Sequence, residues 1–307
     1  MNKYQIKRLL KIFILLLFIL ITYYYKDNIY KPNKLKDNEN TIQNKEETKV
    51  ISNDLEIHFL DVGEADCALI CSNGEYALID AGNTIDGNKI VKYFESLGIT
   101  DFKYLFGTHA HEDHIGGLAN VIYNFNIGKV YMPNVPSEYK SYHNVIKALN
   151  KKNLELNNPI NDEEYKLGES TLKIIYNGEN EEDINNSSLI IKLTYKNKSF
   201  LFTGDTTKEI EDKILNKDLY SNLLKVSHHG SNDASSANFL VKVHPEYAII
   251  SVGKDNDYHH PHQVTIDKLE RLGTKVYRTD QDGTIIVKSD GESINTEAIK
   301  TDTNKEE

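Results

Sequence analysis

The pattern H-x-H-x-D-H sets His109, His111, Asp113 and His114, all able to ligate a metal, within the six positions His109-Ala110-His111-Glu112-Asp113-His114. Imidazole and carboxylate are what a borderline divalent cation such as zinc takes as ligands. Crowded together without a metal they are a liability, because desolvating an unpaired carboxylate or imidazolium is costly. The stretch before the cluster, Tyr104 to Thr108, reads as a buried strand. The stretch after the cluster, from Ile115 to Tyr123 and including Gly116-Gly117, reads as a helix. The cluster is therefore expected on a turn at the carboxyl end of a strand, where open α/β sheets place their ligand sites.

A single cluster of this kind fills two metal sites only in part, so further ligands are expected at later strand ends. Phe202-Thr203-Gly204-Asp205 puts a carboxylate at the end of a buried strand. Its two oxygens can bridge two cations, and Gly204 permits close approach. The bland alternative is a helix N-cap. Ser227-His228-His229-Gly230 follows the strand Leu223 to Val226. One of the two histidines is expected to bind metal, with His229 preferred, and the other to contact substrate or protonate a leaving group. Tyr258-His259-His260-Pro261-His262 lies between a strand and a helix. One of His260 and His262 is expected to close the second site, His260 first. His259 is read as exposed. His58, His143 and His244 are read as structural or surface residues.

Between these motifs the pattern alternates strands and helices. Leu55 to Leu60, Cys67 to Cys71 and Tyr76 to Ile79 read as an antiparallel meander. A helix from Asn88 to Leu97 ends at Gly98. A second half repeats the theme, with helices over 206–215, 236–243 and 261–272. Two sheets face to face with helices outside would bury all of it, so the expected class is α/β, an αββα sandwich. Cys67 and Cys71 are four residues apart on one strand. At about 3.3 Å per residue their Cα atoms are about 13 Å apart, beyond the ~7 Å limit of a disulfide. They are read as buried free thiols.

The chain ends differ in character. Residues 1–25 carry Lys3, Lys7, Arg8 and Lys11, then an apolar run from Ile12 to Ile21, then Tyr23-Tyr24-Tyr25. The run is short for a full span and no small residues follow for cleavage. The tyrosines suit a membrane interface. The reading is an uncleaved single-pass signal anchor in the cell membrane with the remaining domain outside the cell, the alternative being a secreted protein. Residues 26–54 read as a flexible polar linker, 55–296 as the globular domain and 297–307 as a polar tail. The formal charge of −10 argues against a broad basic footprint for nucleic acid. It does not exclude a phosphate substrate, since bound cations reverse the local field.

With these residues laid out, the chain resembles the metallo-β-lactamase superfamily, and within it the C-terminal domain of the ComEC/Rec2 competence proteins. The resemblance runs from about His58 to Lys288. It rests on the 59–66 segment, on Leu78-Ile79-Asp80-Ala81-Gly82, on the metal loop, on Asn185-Asn186-Ser187-Ser188-Leu189, and on the Asp205, His228-His229 and His260-Pro261-His262 motifs. It implies His109 and His111 on a first cation, Asp113 and His114 on a second, and Asp205 between them, with zinc or manganese as the pair. Many superfamily members have a further His where this chain has Ser187-Ser188, and His229 or His228 is expected to supply the missing ligand. The subfamily usually has Gly-Gln-Gly-Asp where Gly63-Glu64-Ala65-Asp66 stand, and Gly where His259 stands. The multi-span channel of those proteins has no counterpart in these 307 residues, so DNA uptake is not implied.

The implied activity is hydrolysis by a metal-activated water, with Asp113 orienting the water and His228 acting on the leaving group. A phosphodiesterase or nuclease is the leading reading, so the expected partners are a phosphodiester, a nucleic acid or a cell-envelope substrate. An amide, ester or lactone hydrolase and a choline-phosphate or cell-wall phosphoesterase are the alternatives. A non-catalytic scaffold with a structural metal is the alternative of another class.

Overall fold

Alternate residues along the central strands serve two different cores. In Glu75–Ile79, Ala77 and Ile79 join one buried cluster and Leu78 another. In Lys198–Phe202, Phe200 and Phe202 join that same shared cluster, whereas Leu201 joins a third. A strand buried on both faces with period 2 belongs to a sheet covered on both sides.

The computed structural model describes residues 54–179 and 181–300. The anchor over 1–25 and the linker up to residue 53 lie outside the described residues. Among the described residues no helix is long and apolar enough to cross a membrane. The strands are Leu55–Phe59 (β1), Ala68–Ser72 (β2), Glu75–Ile79 (β3), Asp101–Phe106 (β4), Asn126–Tyr131 (β5), Leu156–Asn157 (β6), Glu164–Leu167 (β7), Ser170–Tyr176 (β8), Ile190–Tyr195 (β9), Lys198–Phe202 (β10), Leu223–Lys225 (β11), Tyr247–Ile250 (β12), Lys275–Arg278 (β13), Thr284–Ser289 (β14) and Ile294–Ile299 (β15). The helices are Gly87–Ser96 (α1), Glu112–Ile115 (α2), Leu118–Asn124 (α3), Lys140–Lys152 (α4), Lys208–Ile214 (α5), Ala237–Val243 (α6), Gln263–Arg271 (α7) and Thr279–Asp282 (α8).

One sheet has eight strands in the order β15-β14-β1-β2-β3-β4-β5-β6, the other seven in the order β13-β12-β11-β10-β9-β8-β7. Their inner faces meet in the shared cluster, where the rings of Phe59 and Phe202 stack 5.9 Å apart. Ile90, Val91 and Phe94 of α1 and Val145 and Leu149 of α4 cover the outer face of the first sheet. Ile210 of α5, Phe239 of α6 and Leu269 of α7 cover the second. The result is the α/β two-sheet sandwich expected from the alternation. Strands β3 to β6 run parallel, as do β10 to β13. The loops that follow the strands of these parallel runs carry the residues described below.

Three local readings change. The helix expected over 115–123 is two, α2 and α3, because the Gly117 N–H leaves the helical ladder to donate to Gly82 O at 3.2 Å. A Cβ at Gly117 would meet Ala81 O at 2.3 Å, so only glycine lets the turn dock there. The helix expected from Pro261 starts at Gln263, with His262 as its cap in extended conformation. Pro261 lies instead against Gly230, where a Cβ would come within 2.5 Å of it. Strand β15 runs to Ile299, into the segment read as polar tail. Cys67 and Cys71 are free and buried, as their spacing requires.

Lys225, from β11 of one sheet, reaches Asp66, beyond β1 of the other, with Nζ to Oδ2 2.7 Å and side chains only 4% and 8% exposed. Lys225→Met would strand a buried carboxylate and is expected to cost about 3–5 kcal/mol. Adding Asp66→Leu is expected to restore most of that. Urea unfolding midpoints of the two single variants and the double variant check both statements.

Candidate metal centre

Asp80 ends β3 in the left-handed region, φ 60°, and organises the loop after β4. Its Oδ1 accepts the Thr108 N–H at 2.7 Å. Its Oδ2 accepts the Thr108 hydroxyl at 2.8 Å and His114 Nδ1–H at 2.8 Å. A histidine whose Nδ1–H is fixed on a carboxylate turns its Nε2 lone pair outward in one orientation. The other rings are held the same way. His229 Nδ1–H donates to Ser251 O at 2.9 Å. His109 Nδ1 lies 3.2 Å from the hydroxyls of both Thr108 and Ser188.

The freed atoms converge. His229 Nε2 is 3.2 Å from Asp113 Oδ2 and 3.7 Å from Asp205 Oδ2. His114 Nε2 is 3.2 Å from Asp205 Oδ2 and 3.5 Å from Asp113 Oδ2. Yet His114 Nε2 and Asp205 Oδ1 are buried with no hydrogen-bond partner. One ligand atom from each of Asp113, His114, Asp205 and His229 falls within 4.8 Å of the others. Next to them, His109 Nε2 faces His111 Nδ1 at 3.0 Å and Asp205 Oδ2 at 3.9 Å. Converging imidazole and carboxylate atoms, two of them buried without a partner, and an N/O donor set together fit a pair of divalent cations. Asp205 does not cap a helix: the cap of α5 is Thr207, whose hydroxyl accepts the Glu209 N–H.

The electrostatics point the same way. Burial opposes charge on His229, but the carboxylates of Asp205 and Asp113 outweigh it and push its pKa up to about 9. Burial is likewise overcome at His114, where Asp205, Asp113 and Asp80 raise the value well above the ordinary one. Asp113 and Asp205 are lowered despite burial, mainly by His114. His109 is lowered by burial and then by His114, and His111 by burial. The carboxylates thus demand positive charge among them, the role a bound cation takes when it displaces those protons. In a second group, Asp66, Asp80 and His114, the Asp80–His114 bond and the Lys225 ammonium on Asp66 Oδ2 already neutralise the carboxylates, and Asp66 Oδ1 is left without a hydrogen bond.

Residues from both sheets surround a cleft of about 620 Å³ lined by His111, Asp113, Asp205, His228, His229 and His260, among others. His228 and His229 are consecutive left-handed residues, φ 49° and 51°, a rare backbone that clusters at functional sites. His228 Nδ1–H donates to Asp233 Oδ1 at 3.1 Å, and its Nε2 is 3.9 Å from Asp205 Oδ2. Burial opposes charge on His228, while Asp233 and Asp205 raise its pKa. His260 lines the cleft, but its Nδ1–H is given to Glu64 Oε1 at 2.9 Å, and it is outside the group of four. His262 is set apart: it does not line the cleft, and its Nδ1 accepts the Asn232 N–H at 3.1 Å. His259 is exposed, and His58 is buried against Tyr93 OH at 2.8 Å.

The sequence reading passed over Asp80, Thr108 and Ser188 as site residues. Ser188 belongs to the Ser187-Ser188 pair that the resemblance sets at the place of a further histidine. Its Oγ accepts the Asp205 N–H at 3.0 Å and backs His109, so it positions its neighbours. Gly204 makes this possible, since a Cβ there would meet Ser188 Cβ at 2.8 Å. An acidic residue between a buried strand and a glycine, as in Ile79-Asp80-Ala81-Gly82, is the signal that could have flagged Asp80.

The two halves of the centre are unequal: one is the compact group of four, the other the pair His109 and His111 sharing Asp205. Two ions of different affinity are therefore expected. Metal analysis after dialysis against graded chelator should show one ion retained longer, and His229→Ala should lose that ion while His111→Ala keeps it. Asp80→Asn is expected to weaken zinc binding about 10–100-fold in a competition titration.

The family model described as the metallo-beta-lactamase superfamily matches residues 60–254. ComE operon protein 3 of Bacillus subtilis (strain 168) is 27% identical over 256 residues, 76% of this chain and 33% of that protein. Competence protein ComA of Neisseria gonorrhoeae is 27% identical over 77% of this chain and 32% of its own length. The chain thus spans about a third of the length of these curated relatives. Among solved structures, the metallo-beta-lactamase fold protein YhfI of Bacillus subtilis superposes with TM-score 0.54 at 10% identity, covering 77% of this chain and all (100%) of that one. CmlA, a diiron beta-hydroxylase of Streptomyces venezuelae, superposes with TM-score 0.52 at 12% identity, covering 80% of this chain and 54% of that one. These two likenesses concern the fold alone. With the family model spanning most of the described domain and ComEC-type proteins among its relatives, this chain belongs to the metallo-β-lactamase superfamily.

Proposed function

We propose that the protein is a metal-dependent phosphodiesterase, held at the cell membrane by its N-terminal segment with the sandwich domain outside. The observation that carries the hydrolase reading is the convergence of Asp113, His114, Asp205 and His229 on one point at the floor of an open cleft. A purely structural metal would be closed off by its ligands, whereas here Asp113, with its side chain 30% exposed, and His111 also face the cleft. Relatives named for competence and for recombination favour a phosphodiester over an acyl substrate.

His109 and His111 would hold one cation, Asp113, His114 and His229 the other, with Asp205 between them. Zinc suits this thiolate-free set and manganese is the alternative. When bound, such cations supply Lewis acidity to the substrate phosphoryl group and to water. The chain's own residues do the rest. Asp113 would ligate through Oδ2, the oxygen nearest His229 and His114, which leaves its other oxygen to orient the attacking water. Asp233 fixes the His228 ring so that its Nε2 addresses the cleft, where it can deliver a proton to the departing oxygen. Asp80, Ser188 and Ser251 hold the imidazoles in the required orientation, so little reorganisation remains for the reaction itself.

Full-length protein loaded with zinc or manganese is expected to cleave bis-p-nitrophenyl phosphate. Chelator should abolish turnover and added metal restore it. Asp205→Ala should lose metal and activity together, and His111→Ala should fall by at least about 100-fold. Full activity in Asp205→Ala would overturn the assignment. Cleavage of a β-lactam or lactone without diester cleavage would move the protein to the acyl hydrolases.

A further inference from the structure

The rim of the cleft has the wrong charge for a polyanion. Beyond the candidate metal ligands its lining includes Glu64, Glu112, Tyr139 and Tyr258, and among the described residues lining it there is no lysine or arginine. A chain of phosphates is held through its flanking charges, each wanting a cationic partner. Here the flanks meet carboxylates, Glu112 exposed and Glu64 with one oxygen accepting His260 Nδ1–H and the other the Gly253 N–H. The two tyrosines are unusually open for large aromatic side chains, Tyr139 at 45% and Tyr258 at 69% exposure. Each is propped against an imidazole of the centre. Tyr258 stacks on His260 with centroids 5.6 Å apart and an interplanar angle of 18°, and Tyr139 meets His111 edge-on at 5.4 Å. Aromatic faces beside carboxylates are the chemistry that selects quaternary or primary ammonium groups, through attraction of a cation to the ring quadrupole.

Resting on the phosphodiesterase reading, we propose that the substrate is a zwitterionic phosphodiester. Its single phosphate sits over the metal centre and its ammonium head group lies at the Tyr258–Glu64 rim. In the reaction water adds to phosphorus and the bond from phosphorus to the leaving oxygen breaks. One product is a phosphomonoester that keeps the ammonium arm, and the other is the leaving alcohol, which takes up the proton. No oxidant or second substrate is required. The ammonium arm could belong to a membrane lipid or to a soluble ester, and the chemistry recognised is the same.

The test uses full-length, zinc-loaded protein and two diesters that differ only in charge. These are p-nitrophenyl phosphocholine and its uncharged analogue, p-nitrophenyl 3,3-dimethylbutyl phosphate. The ratio of their kcat/KM values is the readout, and it is expected to favour the choline ester roughly five- to thirtyfold. Tyr258→Ala should bring the ratio toward one, while Tyr258→Phe, which keeps the ring, should preserve it. Equal cleavage of both diesters by the unaltered protein overturns the head-group proposal and leaves the phosphodiesterase reading standing. Cleavage of neither by protein shown to hold its metal overturns both. Faster cleavage of oligothymidylate than of the choline ester also overturns the proposal. If it holds, phosphatidylcholine vesicles and glycerophosphocholine as competing substrates tell the lipid source from the soluble one.

Discussion

One buried carboxylate sets the geometry on which the centre depends. Asp80 receives three hydrogen bonds from Thr108 and His114, and so joins the end of β3 to the loop after β4. Its burial pushes its pKa up, while His114 pulls it back. The group stays useful only while both partners remain in place. A rigid strand end, a short loop and a charge balance thus reduce to a single residue. His114 takes its orientation from it directly and His109 in part through Thr108, and the ligands of the opposite sheet are placed to meet them.

Much of this was legible in the sequence, for reasons that differ by element. The central strands could be read because both faces are apolar and turn residues bound them. Their ends then located the 109–114 cluster, Asp205 and His228-His229, since parallel strands deliver their loops to one edge. Other features could not be read. The break between α2 and α3 is made by a hydrogen bond from Gly117 to a loop distant in sequence. Strand β7 was missed because its Glu164 and Lys166 face solvent at a sheet edge and leave little apolar signal. His260 and His262 looked equivalent as residue types. They are separated by partners that no local pattern announces, Glu64 for one and Asn232 for the other.

Ser188 shows how a departure from a ligand pattern can be structural. Its hydroxyl serves His109 and the Asp205 backbone at once. A bulkier side chain would press on Gly204, which has no Cβ to yield. The local field is supplied by carboxylates, whose demand for positive charge is visible in the raised values of His114 and His229.

The placement of the cluster has a mechanical consequence. His109 to His114 belong to one sheet, and Asp205 and His229 to the other. Ions held between them act as a clasp across the seam, beside the Asp66–Lys225 pair that already spans it. Metal occupancy and the register of the two sheets are then one linked equilibrium, because whatever binds only the closed arrangement stabilises it. The supply of divalent ions would then set how firmly the two sheets are held together as well as whether the centre can act.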